Sequence, residues 1–290
     1  MNHHKTSTWT TRTALVIASA AFLVAGLGSS AGAGDLADVK ARGKLVMISF
    51  PLLEGGFVVV DVDAMRRLNV KLADMRDPEH FRGADVELMK GFASSLGVKL
   101  EIRPETGGYE ALLPALDRRD GDLVSSSLTI TPKRLAVADF SIPYFLQWVV
   151  AAVRPDSKAR SLEDLKGKKV AVMQGSSQLE RLQGLNLNPQ IQLTSFALQN
   201  YLAVTEGEAD FTLMDSRAAV GERVSSTYSE LKVAARISEI GYGVAMRKGS
   251  DLKAPLDAYL EGLARSGELE KILARNGQGA TPAKASPVKP

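Results

Sequence analysis

The chain has 290 residues, 24% of them charged, with a net charge of +3, three histidines and no cysteine. The absence of cysteine excludes disulfides, thiolate metal sites and a lipid-bearing N-terminal Cys. The small net charge, with Lys and Arg in short scattered runs such as Lys166-Gly167-Lys168-Lys169, gives no clustered basic face of the kind nucleic acid selects.

The first 33 residues have the layout of a secretory signal. Lys5 and Arg12 form a positive n-region, Ala14 to Leu27 is apolar, and Ala31-Gly32-Ala33 offers small residues before a cut at Gly34. The apolar run is about 14 residues, whereas a membrane-spanning helix needs roughly 20. Cleavage near Ala33 and export to the periplasm are therefore expected. It would also remove two positive charges and leave His80 as the sole histidine, which takes the parts away from His-based triads and His-rich metal sites.

From Lys44 onward short apolar runs alternate with helical patterns, the signature of an α/β protein with largely parallel sheets. The predicted strands are Leu45 to Ser49, Lys99 to Arg103, Leu123 to Ser125, Trp148 to Arg154, Lys169 to Met173 and Phe211 to Met214. Among the helices, Asp85 to Leu96 carries an apolar stripe that Gly97 ends, and Tyr109 to Asp117 is closed by Asp120-Gly121-Asp122. Pro132 suits the first position of a third, with Thr131 as N-cap. Ser161-Leu162-Glu163-Asp164 reads as a capped short helix, and Asp257 to Asn276 as a long one broken near Gly267. Residues 277–290 lack apolar periodicity and are expected to be a disordered tail.

Three segments have the character of ligand-binding turns at the carboxyl ends of strands, where open α/β sheets bind ligands. In Ser125 to Arg134 the hydroxyls of Ser127 and Thr129 alternate with Leu128 and Ile130, so the polar side chains share one face. Arg134 follows in the first turn of a helix, where its guanidinium can fork onto a carboxylate. In Val170 to Gln178 a strand meets a glycine turn and a hydroxyl-capped helix start, whose free N–H groups favour an anion. In Gly207 to Asp215 a turn and an apolar strand end on a carboxylate that can pair an ammonium or cap the next helix.

Taken together, these segments resemble the extracellular solute-binding proteins of the polar-amino-acid ABC transporter family, from about Leu36 to Gly277. The likeness also rests on Phe81-x-Gly-x-Asp-Val-x-Leu88, Pro114-Ala-Leu-x-x-x-x-Gly-Asp122, Phe140-Ser-Ile-Pro-Tyr144 and Ser161 to Val172. The resemblance implies a type 2 periplasmic binding-protein fold of two α/β lobes joined by two crossovers. The larger lobe would be residues 34–147 with 241–276, and the smaller 148–240. It implies that Arg134 clamps a ligand carboxylate with Ser177, and that Ser127, Thr129 and Asp215 receive an ammonium. Tyr109 would stack on the ligand, and Ser126, Gly175 and Ser176 would belong to the binding turns. The implied partners are a small ligand and an inner-membrane ABC permease, for a monomer without cofactor or metal.

One departure is large. Relatives have a short loop with a ligand-covering aromatic after the first strand, whereas this chain has Phe50 to His80. Phe50 stands where many relatives place an acid for a cationic side chain, which argues against Lys or Arg as ligand. Two alternatives remain at this point: a cyclohexadienyl dehydratase-like enzyme, with Glu105 or Glu180 as acid, and a ligand-sensing module that contacts a partner through Phe50 to His80.

Overall fold

The computed structural model describes residues 35–51, 56–216 and 231–278. The expected signal segment, residues 217–230 and all but the first two residues of the expected tail lie outside the described residues. Of those two, Gln278 is buried, and its N–H donates to the Leu273 carbonyl at 2.7 Å.

Two five-stranded sheets organise the chain. The first contains β1 (Lys44–Ser49), β4 (Lys99–Pro104), β5 (Leu123–Val124), β6 (Asp139–Phe140) and β12 (Ala245–Met246), in the order β4-β1-β5-β12-β6. The second contains β7 (Phe145–Val153), β8 (Lys169–Met173), β9 (Gln190–Thr194), β10 (Phe211–Asp215) and β11 (Lys232–Tyr242), in the order β11-β7-β10-β8-β9. Parallel pairs β4/β1/β5 and β10/β8/β9 form the heart of each sheet. Against them run β12 in the first sheet and β7 in the second. The mainly parallel α/β expectation holds, with one reversed strand per sheet.

The reversed strands arise from the connections. The chain leaves the first sheet between Phe140 and Phe145 and returns between Tyr242 and Ala245, and the two passages lie side by side because Phe145 pairs with Tyr242. Sequence reading missed the two-residue β6 and β12, and also β9 and β11. Exposed positions interrupt the apolar pattern of β9, and two register shifts break the alternation of β11.

Helix α3 (Ala84–Ser95) turns Val86, Leu88, Met89, Phe92 and Ala93 into the core, and each such Leu, Met or Phe is worth about 1.5–3 kcal/mol of burial. The expected helix Tyr109–Asp117 (α4) forms at those bounds. The long terminal helix is two, Lys253–Ser266 and Glu268–Arg275, broken where Gly267 adopts φ 73°. The short helix expected at Ser161 forms as one 3-10 turn, Glu163–Leu165. Asp164 accepts from the Arg160 and Ser161 N–H groups at its start, and the Gly167 N–H donates to the Leu187 carbonyl instead of continuing the helix.

Much of Phe50 to His80 is folded into the body. Val58, Val59 and Val60 are buried, and β2 (Val59–Val60) pairs antiparallel with β3 (Phe81–Arg82). A short helix, Val62–Leu68, follows, capped by Asp61 and stopped at Asn69 in the left-handed conformation. Gly83 could hold no side chain, because a Cβ there would lie 2.2 Å from the Phe57 carbonyl oxygen.

Candidate ligand-binding site

The strand β5 ends at Val124, and the chain continues as a ribbon stitched to the returning passage. Ile130 N–H donates to the Gly241 carbonyl and Gly243 N–H to the Leu128 carbonyl, so Leu128 is buried on one face while Ser127 and Thr129 take the other. Ser127 sits at φ 45°, which a non-glycine residue adopts only when held there. The holding group is Asp85 in the first turn of α3: Oδ2 accepts the Ser127 N–H at 2.7 Å, and Oδ1 accepts the Tyr144 hydroxyl at 2.6 Å. Burial pushes the Asp85 carboxyl up to about 6, against the lowering effect of these hydrogen bonds.

Helix α5 (Pro132–Val137) begins as expected, with the Thr131 hydroxyl accepting the Arg134 N–H. Arg134 is only 7% exposed. Its guanidinium donates to the Thr129 carbonyl at 2.9 Å and reaches the Gly175 carbonyl of the second sheet at 3.4 Å, using two of five N–H donors. These carbonyls and the nearby Glu180 charge offset the cost of placing a cation in the first turn of a helix. Burial is the largest influence on its acidity and pulls its pKa below the ordinary value.

Across from Arg134, β8 ends at Met173 and is followed by the turn Gln174-Gly175-Ser176. Gly175 has φ 68°, and a Cβ there would lie 2.9 Å from the Glu110 Cβ of α4, so glycine permits both the turn and the close approach of the two sheets' loops. Gln174 Nε2 donates to Glu110 Oε1 at 3.2 Å across the same contact. Ser176 is the N-cap of α6 (Ser177–Gln183), and its hydroxyl also donates to the Met173 carbonyl. Ser177 heads the helix and donates to Thr129 Oγ1 at 3.1 Å.

Asp215 closes the other end. It ends β10, buried enough that its carboxyl is pushed up, and it accepts Gln178 Nε2 at 2.7 Å and the Tyr242 hydroxyl. Tyr109 sets its ring edge-on to Phe50 at 5.4 Å and its hydroxyl 3.3 Å from the Ser127 hydroxyl.

The structure thus gathers Tyr109, Ser127, Thr129, Arg134, Gly175, Ser177 and Asp215 about one contact between the sheets. Ser126 and Ser176 border it in another capacity. The Ser126 hydroxyl is spent on Ser49 and on both backbone groups of Phe50, and that of Ser176 on the helix cap. Glu105 directs Oε1 to the Thr106 and Gly107 N–H groups of its own turn. Four residues escaped the sequence reading: Asp85, Tyr144, Gln178 and Tyr242. Asp85 and Tyr144 lay within recognised motifs, yet only the fold shows that Asp85 supports Ser127. Among the described residues, no group of three or more His, Cys, Asp or Glu side chains could hold a metal, and no helix is long and apolar enough to cross a membrane.

Comparison with known proteins adds three likenesses and a family. The family described as bacterial extracellular solute-binding proteins, family 3, matches residues 69–278. The L-cystine-binding protein TcyJ of Escherichia coli (strain K12) is 30% identical over 268 residues, 90% of this chain and 93% of that protein. The membrane-bound lytic murein transglycosylase F of Ectopseudomonas mendocina is 27% identical over 91% of this chain, which spans 52% of that longer protein. Among solved structures, the amino acid ABC transporter substrate-binding protein AbpA from Streptococcus pneumoniae, bound to L-arginine, superposes with TM-score 0.68 at 26% identity, over 83% of this chain and 97% of that one.

Proposed function

Because the chain belongs to the bacterial extracellular solute-binding proteins of family 3, we propose that it binds an amino acid, or a related small carboxylate, in the periplasm and delivers it to an inner-membrane ABC permease. The observation that carries the reading is a buried cation, Arg134, and a half-buried carboxylate, Asp215, at one contact between two sheets. That pair matches the two charged ends of an α-amino acid. The Arg134 guanidinium receives the carboxylate, with Ser177 beside it. Asp215, Ser127 and Thr129 receive the ammonium, and Tyr109 with Phe50 forms an aromatic wall.

Binding in this arrangement joins the two lobes. Arg134 and Thr129 belong to the lobe of the first sheet and Gly175 and Ser177 to that of the second, so a ligand held by both favours the closed arrangement in proportion to its contacts there. An affinity near micromolar corresponds to about −8 kcal/mol. The L-arginine named for AbpA and the L-cystine named for TcyJ are the first ligands to test, although Phe50 in this chain offers no charge to a cationic side chain.

The test is a thermal-shift screen of the protein against the amino acids and a panel of small carboxylates. A ligand at about 100 times its Kd stabilises by about 2.7 kcal/mol, which reads as a clear rise in Tm. Mass spectrometry of the recovered ligand should show it unchanged, and a ligand converted during incubation would make the chain an enzyme. Intact mass of the protein exported from a host with its own N-terminal segment should start at Gly34. No shift with any amino acid or small carboxylate would overturn the reading.

A further inference from the structure

At the root of the segment from Phe50 to His80, Phe57 touches the site from behind. The Phe57 ring packs edge-on against Tyr242 at 5.2 Å and Phe145 at 5.3 Å, and its carbonyl accepts the Asp85 N–H at 3.1 Å. Tyr242 lies at the end of β11, where the chain passes back to the first sheet, and it bridges Thr129 through the backbone. Its hydroxyl accepts from Gln147 Nε2 and donates its one proton to Asp215. Burial and the neighbouring Asp215 charge hold that phenol well above its ordinary pKa, so at neutral pH it remains a donor.

From this arrangement we propose that Tyr242, backed by Phe57 and oriented by Gln147, is the positioning residue of the amino-group subsite, fixing the Asp215 carboxylate in the orientation a ligand ammonium requires. The proposal rests on the assignment of Asp215 as ammonium acceptor. A carboxylate at the end of a strand can rotate about its last bond. Tyr242 on one oxygen and Gln178 on the other pin that rotation, and with Gln147 also donating to the carboxylate a lone pair is left for the ligand. Tyr242 reaches Asp215 from the passage between the sheets, so the subsite is aligned with the hinge itself.

Tyr242→Phe keeps the ring against Phe57 and Phe145 and removes only the hydroxyl. The probes are the amino acid giving the largest thermal shift with wild type and its deaminated counterpart, each titrated calorimetrically. The variant should bind the amino acid about tenfold more weakly or worse, with affinity for the deaminated acid unchanged. Phe57→Leu should weaken the amino acid in the same selective manner, to a smaller degree. Amino-acid binding should also be lost at a higher pH on acidification, because Asp215 without the phenol donor holds its proton more tightly. The other charged or titratable groups around this cluster, Arg134, Glu180, Tyr109, Asp85 and Tyr144, are common to both proteins.

Equal loss for both ligands, or no loss for the amino acid, overturns the proposal. If wild type binds no amino acid, the functional reading fails separately, and the positioning role is read from the carboxyl ¹³C titration of Asp215 in both proteins. An upward move in Tyr242→Phe supports the role, and an unmoved titration overturns it.

Discussion

The two walls of the site are built by different means. On the first sheet's side, Ser126, Ser127 and Thr129 are held by residues far away in the chain: Phe50, Asp85, Gly241 and Tyr242. On the second sheet's side, the turn at Gly175 and the cap at Ser176 close within a few residues through Met173 and Leu179. The first wall is therefore cross-linked to the body, whereas the second is a local unit closed within its own turn. A binding protein of two lobes benefits from that asymmetry, because one wall can present a fixed template while the other closes upon it.

The largest effect should come where the walls meet. Arg134→Ala removes the cation that touches both and would leave a buried ligand carboxylate unpaired, at a cost of about 3–5 kcal/mol. Calorimetric titration with the ligand found by the thermal-shift screen should show binding all but lost. Unchanged affinity would take the guanidinium out of the site.

Asp85 tests the cross-linking of the first wall. Asp85→Ala orphans the Ser127 N–H and the Tyr144 hydroxyl, each costing about 1–3 kcal/mol when buried. Urea unfolding should register the loss. The pH dependence has a definite sign. Burial pushes the Asp85 carboxyl up to about 6 in the fold, against about 3.9 for a free aspartate, so the folded state binds its proton more tightly. Below both values the group contributes nothing to the pH dependence. As pH rises through that window the fold is penalised, by about 2–3 kcal/mol in full. The stability of wild type relative to Asp85→Asn should therefore decline from about pH 4 to about pH 7. A flat difference would mean that the carboxyl is not held in a desolvated place.

The same asymmetry explains what the sequence made legible. Thr131, Pro132, Gly175 and Ser176 announce themselves because their roles are met within three or four residues, the range over which caps and turns are specified. Arg134, Ser177 and Asp215, singled out by the order and spacing of their turns, lie together at the contact between the sheets. The partners of the first wall were not legible: nothing in a window around Asp85 says that its acceptors face Ser127, and β11, which carries Tyr242, hides its alternation behind two register shifts. Ser126 was misplaced for the reverse reason. Its neighbours in sequence face the site, while its own hydroxyl is absorbed by Phe50 across β1.

The second wall is tested by changes of about 1–2 kcal/mol. Gly175→Ala puts a Cβ 2.9 Å from Glu110 Cβ and forces a left-handed residue, so the contact between the sheets must open or strain. Ligand affinity should fall about tenfold, and small-angle scattering with ligand should show a less compact particle than wild type. The smallest effect is expected at Ser176. Ser176→Ala loses the cap of α6, worth about 1 kcal/mol, while the Gly175 turn and Ser177 stay in place. Tm should drop by a few degrees with ligand affinity unchanged. Loss of affinity as large as for Gly175→Ala would mean that the Ser176 hydroxyl serves the ligand rather than the helix, and the second wall would then depend on more than its own local turn.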